Sequence, residues 1–185
     1  MNHASELAPS PWIVRHAALV ATGARVLDLA SGGGRHARFF ASRGARVLAV
    51  DRDAAALGHV AQVPGIETRV ADLEGGTWPL AGQSFDAIVV VNYLHRPLFP
   101  HLRGALRPDG VLLYETFAMG NEAYGRPANP DFLLCRDELL TLASIAPAMT
   151  VVAFEQGVVE GAGRKAVVQR LAAVGPGRTW PPALG

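Results

Sequence analysis

The residues best suited to chemistry surround a run of three glycines, Gly32–Gly34. Asp28 lies four residues before the first glycine, inside an apolar stretch that predicts a buried strand, and Asp51 ends the next such stretch. Glycines permit a left-handed backbone and let a ligand approach the main chain closely. A carboxylate at the end of a strand can bind hydroxyl or ammonium groups. This spacing therefore predicts a site for a cofactor that carries a ribose or a phosphate.

Two classes of cofactor fit this glycine turn. The segment from Gly32 to Ala37 matches G-x-G-x-x-A, one form of the dinucleotide fingerprint, in which Asp51 would bind the ribose. Asp28 argues against NAD and FAD, because a dinucleotide-binding strand usually has an apolar residue there. A carboxylate at this position suits a cation instead, such as the α-ammonium of a methionine moiety held directly or through water. The alternative is a purely structural role, in which Asp28 caps a turn.

The end of a third predicted strand offers groups that could recognise adenine. Asp72 could accept a hydrogen bond from the exocyclic amine, and the backbone N–H of Leu73 could donate to a ring nitrogen. Purely structural roles remain open for the carboxylates. Asp72 could be an ordinary loop residue, and Asp51 could begin a helix, although Asp53 is better placed for that capping role.

Strands and helices alternate along most of the chain. Apolar runs predict strands over 25–31, 46–51, 66–72, 85–94 and 110–117, and amphipathic patterns predict helices over 12–23, 34–44, 53–63 and 97–108. Such alternation is typical of an α/β fold with a doubly wound sheet and helices on both faces. The carboxyl ends of parallel strands form the ligand-binding edge of such a sheet.

The pattern changes after the fifth strand. Residues 118–135 form a Gly-, Asn- and Pro-rich loop that could cover the site like a lid. A helix over 136–146 follows, and strands over 149–159 and 164–174 are joined by a tight turn, which predicts an antiparallel hairpin. We expect residues 1–185 to form one domain, with loose termini at 1–11 and 175–185.

These features together resemble the class I S-adenosylmethionine (AdoMet) methyltransferases, a Rossmann-like family. Its pattern is an acidic residue followed by G-x-G-x-G, and here Ala30 stands at the first glycine, so that a small residue is kept. The resemblance covers about residues 10–174 and implies a seven-stranded sheet of order 3-2-1-4-5-7-6 with strand 7 antiparallel. It also implies cofactor-binding roles for Asp28, Ala30, Gly32, Gly34, Asp51, Arg52, Asp72, Leu73 and Asn92.

Within that family, the chain is similar to small bacterial enzymes of the tellurite-resistance or small-molecule type. Their acceptor lies beside the end of strand four, which implies catalytic candidates Tyr93 and His95, with Glu115 on strand five. His95 or Glu115 would serve as general base if one is needed. Tyr93 could instead pack on the cofactor, and Glu115 could form an ion pair with an arginine of the loop. Arg126 in that loop could hold an anionic acceptor.

Composition limits the other possibilities. The formal net charge of +1 on 185 residues gives no strong field for nucleic acid, and a single cysteine excludes a disulfide framework within the chain. No two of the six histidines form a close ligand pair, so we expect no metal site. The first residues lack a signal-peptide pattern, and no apolar run reaches the ~20 residues of a membrane span.

We therefore expect a cytoplasmic enzyme that transfers a methyl group from AdoMet to a small-molecule acceptor, releasing S-adenosyl-L-homocysteine. Its oligomeric state is left open, and no membrane or nucleic-acid partner is expected. The alternatives are an RNA or protein methyltransferase, which would need a local basic groove, and an AdoMet-binding protein without catalysis. An NAD oxidoreductase is a more distant alternative.

Overall fold

The structure, a computed structural model, describes residues 8–161 and 163–182. In this part of the chain seven strands form one sheet of order β3-β2-β1-β4-β5-β7-β6. Pairs from β3 to β5 are parallel, whereas β7 is antiparallel to both β5 and β6. This confirms the predicted fold class and strand order. The strands are β1 Arg25–Leu29, β2 Arg46–Asp51, β3 Ile66–Val70, β4 Phe85–Val91, β5 Leu106–Phe117, β6 Thr150–Gly161 and β7 Arg164–Val174.

The helices are shorter than the sequence pattern predicts. They are α1 Pro11–His16, α2 Arg35–Ser42, α3 Ala54–Gly58, α4 Phe99–Ala105 and α5 Glu138–Ser144. Short 3₁₀ turns lie at Ala17–Leu19, Arg96–Leu98, Asn121–Ala123 and Pro130–Phe132. The predicted helix over 12–23 becomes α1 followed by a 3₁₀ turn, and the one predicted over 97–108 ends at Ala105 because Leu106 already pairs with Phe85 of β4.

Two apolar layers cover the two faces of the sheet. Alternate strand residues point to opposite faces. Leu27 and Ile88 therefore pack on the side of α4 and α5, whereas Val26 and Val89 pack on the side of α1, α2 and α3. Burial on both faces explains why β4 reads as one continuous apolar run. The helices leave the carboxyl ends of the parallel strands accessible, and the candidate site lies there.

Hydrogen bonds hold part of each segment that was predicted to be loose. Ser10 is buried, and its hydroxyl oxygen accepts from the N–H of Trp12 at 3.2 Å to cap α1. At the other end, the N–H groups of Gly175 and Gly177 donate to the carbonyls of Gly110 and Pro108 at 2.8 Å. Residues 1–7 and 183–185 lie outside the described residues.

Candidate functional site

A cleft of about 520 Å³ opens at the carboxyl ends of the parallel strands. This volume lies in the range of ligand-binding pockets, roughly 300–1,000 Å³. Seven of the twelve residues predicted for the site line the cleft: Ala30, Asp51, Arg52, Asp72, Leu73, Asn92 and Tyr93. Asp28, Gly32, Gly34, His95 and Glu115 do not line it. The sequence analysis named none of the residues in the remaining wall, although two of them, Pro127 and Phe132, belong to the loop expected to cover the site. The others are Ala71, Glu74, Leu94, Thr116 and Phe117.

Asp51 joins the end of β2 to the glycine turn. Its Oδ2 accepts from the N–H of Gly32 at 2.7 Å, and its Oδ1 accepts from the N–H of Asp53 at 2.9 Å. Each carboxylate oxygen can accept a second hydrogen bond, so Asp51 can still bind ligand hydroxyls from the wall of the cleft. Asp53 caps α3 as predicted, because its Oδ1 accepts from the N–H groups of Ala55 and Ala56.

The turn after β1 uses a left-handed backbone at three positions. Gly32 has φ +52° and Gly34 has φ +71°, while Ala30, at the first glycine position of the G-x-G-x-G pattern, has φ +52°. A residue with a Cβ is strained in this region by roughly 1–2 kcal/mol. The alanine at this position therefore keeps the shape of the turn but carries backbone strain that a glycine would not.

Replacing Ala30 by glycine is expected to stabilise the protein by about 0.5–1 kcal/mol. Relief of the left-handed strain is partly offset by the greater freedom of glycine in the unfolded chain. The midpoint of urea unfolding measures the change. Ala55→Gly on the exposed face of α3 is the matched control and should destabilise by about 0.5–1 kcal/mol. A loss of stability in both variants would contradict the strain at Ala30.

Asp28 lies behind the turn and is 1% exposed. Its Oδ2 accepts from the N–H of Ala37 at 2.9 Å and so ties β1 to the start of α2. Burial raises the pKa of this carboxyl to about 7, opposed by the Ala37 hydrogen bond and the charge of Arg35. The predicted contact of Asp28 with a ligand ammonium stays a prediction.

The loop after β3 contributes carboxylates on the opposite wall. Asp72 Oδ1 accepts from the N–H of Glu74 at 2.9 Å, which holds Asp72 at the cleft, and the buried Leu73 lies between them. The hydroxyl of Tyr93 donates to Glu74 Oε1 at 3.3 Å. Burial, followed by the charge of Glu74, raises the pKa of the Tyr93 hydroxyl. Tyr93 is therefore a neutral hydrogen-bond donor at ordinary pH.

Asn92 and Tyr93 begin the segment after β4 that we expected beside the acceptor. Asn92 has φ +57°, a conformation that asparagine adopts more readily than most residues. Its N–H donates to the carbonyl of Glu115 at 2.9 Å, and the carbonyl of Tyr93 accepts from the Tyr114 hydroxyl at 2.9 Å. These bonds to β5 fix the backbone beneath the cleft.

The other two catalytic candidates have structural contacts. Glu115 accepts from the hydroxyl of Ser10 at 2.7 Å and lies 3.2 Å from Nε of Arg170. The ion pair considered for Glu115 therefore exists, but its arginine belongs to β7 and not to the loop. His95 is half-buried and precedes the 3₁₀ turn Arg96–Leu98, where its carbonyl accepts from the N–H of Leu98.

The loop 118–135 closes one side of the cleft through Pro127 and Phe132. Arg96 anchors its second half, because its guanidinium binds both carboxylate oxygens of Glu138 at 2.6 and 2.9 Å and the carbonyls of Asp131 and Leu133. Among residues 8–161 and 163–182, no group of three or more His, Cys, Asp or Glu is placed to bind a metal. No helix in the same ranges is long and apolar enough to cross a membrane.

The sequence from 26 to 110 matches a family described as a methyltransferase domain. The match spans the strands β1 to β4, the glycine turn and the first part of β5. A search of curated proteins finds no match to this chain. The matched segment thus includes Asp28, the three glycines, Asp51 and Asp72, which are the residues that carried the resemblance.

Solved structures with the same fold include TehB from Haemophilus influenzae, with TM-score 0.74 and 17% identity; the match covers 90% of this chain and 62% of that one. This chain therefore spans less than two thirds of that relative. An S-adenosylmethionine-dependent methyltransferase from Mesorhizobium loti has TM-score 0.66 and 19% identity, and the match covers 85% of this chain and 94% of that one. The 1,6-didemethyltoxoflavin-N1-methyltransferase of Burkholderia thailandensis has TM-score 0.64 and 21% identity, and the match covers 89% of this chain and 76% of that one.

The matched segment and the strand order agree with the predicted class: residues 26–110 match a methyltransferase domain, and the sheet has the class I, Rossmann-like fold. The Mesorhizobium protein is S-adenosylmethionine-dependent, and the Burkholderia structure holds S-adenosylhomocysteine.

Proposed function

We propose that the protein transfers the methyl group of S-adenosyl-L-methionine to a small-molecule acceptor. The observation that carries the proposal is Asp51, which is hydrogen-bonded to the glycine turn and lines one 520 Å³ cleft together with Asp72 and Leu73. The charge of the cleft also favours this cofactor. Asp51, Asp72 and Glu74 outnumber Arg52, and a negative wall suits a sulfonium cation better than the pyrophosphate of NAD.

Each wall of the cleft then has a proposed role. Asp51 would hold the ribose hydroxyls, Arg52 would lie near the adenine face, and Asp72 and the N–H of Leu73 would bind the adenine edge. Asp28 would attract the methionine ammonium from behind the turn, through water. Ala30, Gly32 and Gly34 would shape the backbone that the ligand approaches, and Asn92 would complete the site from the end of β4.

The proposed reaction needs little chemical activation by the protein. The methyl group of a sulfonium is already activated, and transfer is a single in-line displacement in which the acceptor forms a bond to the methyl carbon as the carbon–sulfur bond breaks. The enzyme must align the acceptor and exclude water. Tyr93 is the candidate that lines the cleft and donates a hydrogen bond. His95 or Glu115 would act as a general base only after a rearrangement that brings the side chain to the cleft.

A small-molecule acceptor is supported by the Burkholderia structure, which holds its acceptor 1,6-didemethyltoxoflavin beside S-adenosylhomocysteine. We further propose that residues 1–185 act as one cytoplasmic domain without a membrane or nucleic-acid partner. Transfer of label from methyl-labelled AdoMet to small molecules would support the assignment. Transfer only to RNA or to protein, or binding without transfer, would overturn it in favour of the corresponding alternative.

The first test is thermal unfolding with AdoMet, S-adenosylhomocysteine and NAD, each in excess. A ligand that binds only the native state raises the unfolding midpoint. We expect AdoMet and S-adenosylhomocysteine to raise it and NAD to leave it unchanged. A rise of the midpoint with NAD alone would show that the glycine turn binds a dinucleotide instead.

Asp51→Ala is expected to weaken AdoMet binding by about 1–3 kcal/mol, the scale of a lost hydrogen bond to a charged group. This corresponds to roughly 5- to 150-fold in Kd, measured by titration calorimetry. Asp53→Ala is the matched control, because Asp53 caps α3 and does not line the cleft. It should lower stability by about 1 kcal/mol and leave the affinity unchanged. Equal affinities of Asp51→Ala and wild type would refute the ribose assignment.

A further inference from the structure

A second concave surface adjoins the cofactor cleft. It encloses about 790 Å³ between the loop 118–135 and the tip of the β6–β7 hairpin. We call it the basic groove and define it by Tyr124, Arg126, Glu160, Arg164 and Lys165. Phe117, at the end of β5, lines both the groove and the cofactor cleft. A ligand in the groove would therefore lie beside a ligand in the cleft.

The groove has an excess of positive charge. Among the described residues, no carboxylate lies within ion-pair distance of Arg126 or Arg164. Lys165 Nζ lies 3.9 Å from Glu160 Oε2, and both side chains are exposed, so this contact contributes little. Three cations against one carboxylate leave a net charge of about +2 facing a concave wall, where such a field is focused.

The position of the groove is fixed from within. Asn121 is 2% exposed and joins its two sides. Its Nδ2 donates to the carbonyl of Pro127 at 2.9 Å, and its Oδ1 accepts from the N–H of Val167 at 3.1 Å. The first bond holds the chain next to Arg126, and the second holds β7 close to Lys165. The cations of the loop and of the hairpin therefore face one space because a buried side chain ties their backbones together.

We propose that the basic groove binds an anionic group of the methyl acceptor, a carboxylate or a phosphate. The inference rests on the proposed function and adds the chemical class of the acceptor to it. Guanidinium groups bind carboxylates and phosphates through paired hydrogen bonds, so Arg126 and Arg164 are the main ligands. Tyr124, 47% exposed, offers an aromatic face for the body of the molecule. The reacting atom would extend past Phe117 into the cofactor cleft.

Titration calorimetry with inorganic pyrophosphate tests the groove without knowledge of the acceptor. The protein is first saturated with S-adenosylhomocysteine, so that the cofactor cleft is filled. We expect Arg126→Gln and Arg164→Gln each to weaken pyrophosphate binding by about three- to tenfold, and added salt to weaken it in the wild type. Arg46→Gln is the matched control, since Arg46 is exposed and lines a depression formed by the other end of β2. Arg46→Gln should leave the affinity for pyrophosphate unchanged.

The second arm uses methyl-labelled AdoMet with pairs of small acceptors, each an acid and its uncharged ester or amide. We expect label on the acids, with a KM raised about tenfold in Arg126→Gln and an unchanged affinity for AdoMet. Equal transfer to both members of each pair, with AdoMet still bound, would overturn the inference and leave the proposed function intact. A protein that binds no AdoMet would overturn the proposed function, while the pyrophosphate titration, repeated without cofactor, would still test the groove. Methylation of RNA that is lost in Arg126→Gln would overturn the small-molecule acceptor.

Discussion

Replacing Gly34 by alanine is expected to lower the free energy of unfolding by about 2–5 kcal/mol. Two effects add at this position. The backbone has φ +71°, which costs an L-residue roughly 1–2 kcal/mol. A Cβ built there would lie 2.6 and 2.8 Å from the two γ-carbons of Val60, which is fully buried, and such overpacking costs roughly 1–3 kcal/mol. Urea unfolding at constant pH measures the sum.

Gly32→Ala separates the two effects. Gly32 has a similar φ of +52°, but a Cβ there meets nothing within 4 Å. In this variant only the backbone strain should lower the free energy of unfolding, by about 1–2 kcal/mol. The double variant Gly34→Ala with Val60→Ala should show a favourable coupling, because removal of the γ-carbons relieves the clash. Equal losses of stability in Gly32→Ala and Gly34→Ala would show that contact with Val60 is not what requires glycine at position 34.

The second large effect is expected from Asp28→Asn, and it depends on pH. The pKa of Asp28 is about 7 in the folded protein, because the side chain is buried, against about 3.9 in an unfolded chain. Between these values the folded state keeps a proton that the unfolded state has lost. The stability contributed by the neutral carboxyl is therefore fully present below pH 4 and is lost as pH rises to about 7.

Asparagine stays neutral throughout and keeps an oxygen for the N–H of Ala37. Asp28→Asn should therefore match the wild type near pH 4 and exceed its stability at pH 8 by at most about 4 kcal/mol, the free energy of this pKa change. Urea unfolding across this pH range gives the difference. A constant difference at every pH would show that Asp28 does not titrate in this interval.

The strands themselves were predictable because their signals are local, whereas their order in the sheet was predicted only from the family resemblance. Apolar runs marked β1 to β5, and the Gly-containing turn before Arg164 marked the antiparallel hairpin. Asp51 and Asp72 were predicted for the site because each ends or directly follows a strand, and the parallel sheet brings those ends to one edge. Ala30 was predicted by its place in the glycine pattern, although its left-handed backbone could not be read from the sequence.

The missed residues depend on long-range packing. Pro127 and Phe132 line the cleft because Arg96 and Asn121 fix the path of a loop that has no periodic pattern. Glu74 gave one local signal, the turn that Asp72 begins, but its contact with Tyr93 spans 19 residues. The arginine beside Glu115 comes from β7, so the pair arises only when the hairpin adds to β5.

The clamped loop decides how the cleft can exchange its contents. Arg96 holds Asp131 and Leu133, while Asn121 holds Pro127, so the segment between them is secured at both ends. Lifting this rim would break both sets of bonds, whereas Arg52 and Glu74, which also line the cleft, are exposed to solvent. On the proposed function, spent and fresh methyl donor can exchange past Arg52 and Glu74 while the bonds that hold the rim stay intact.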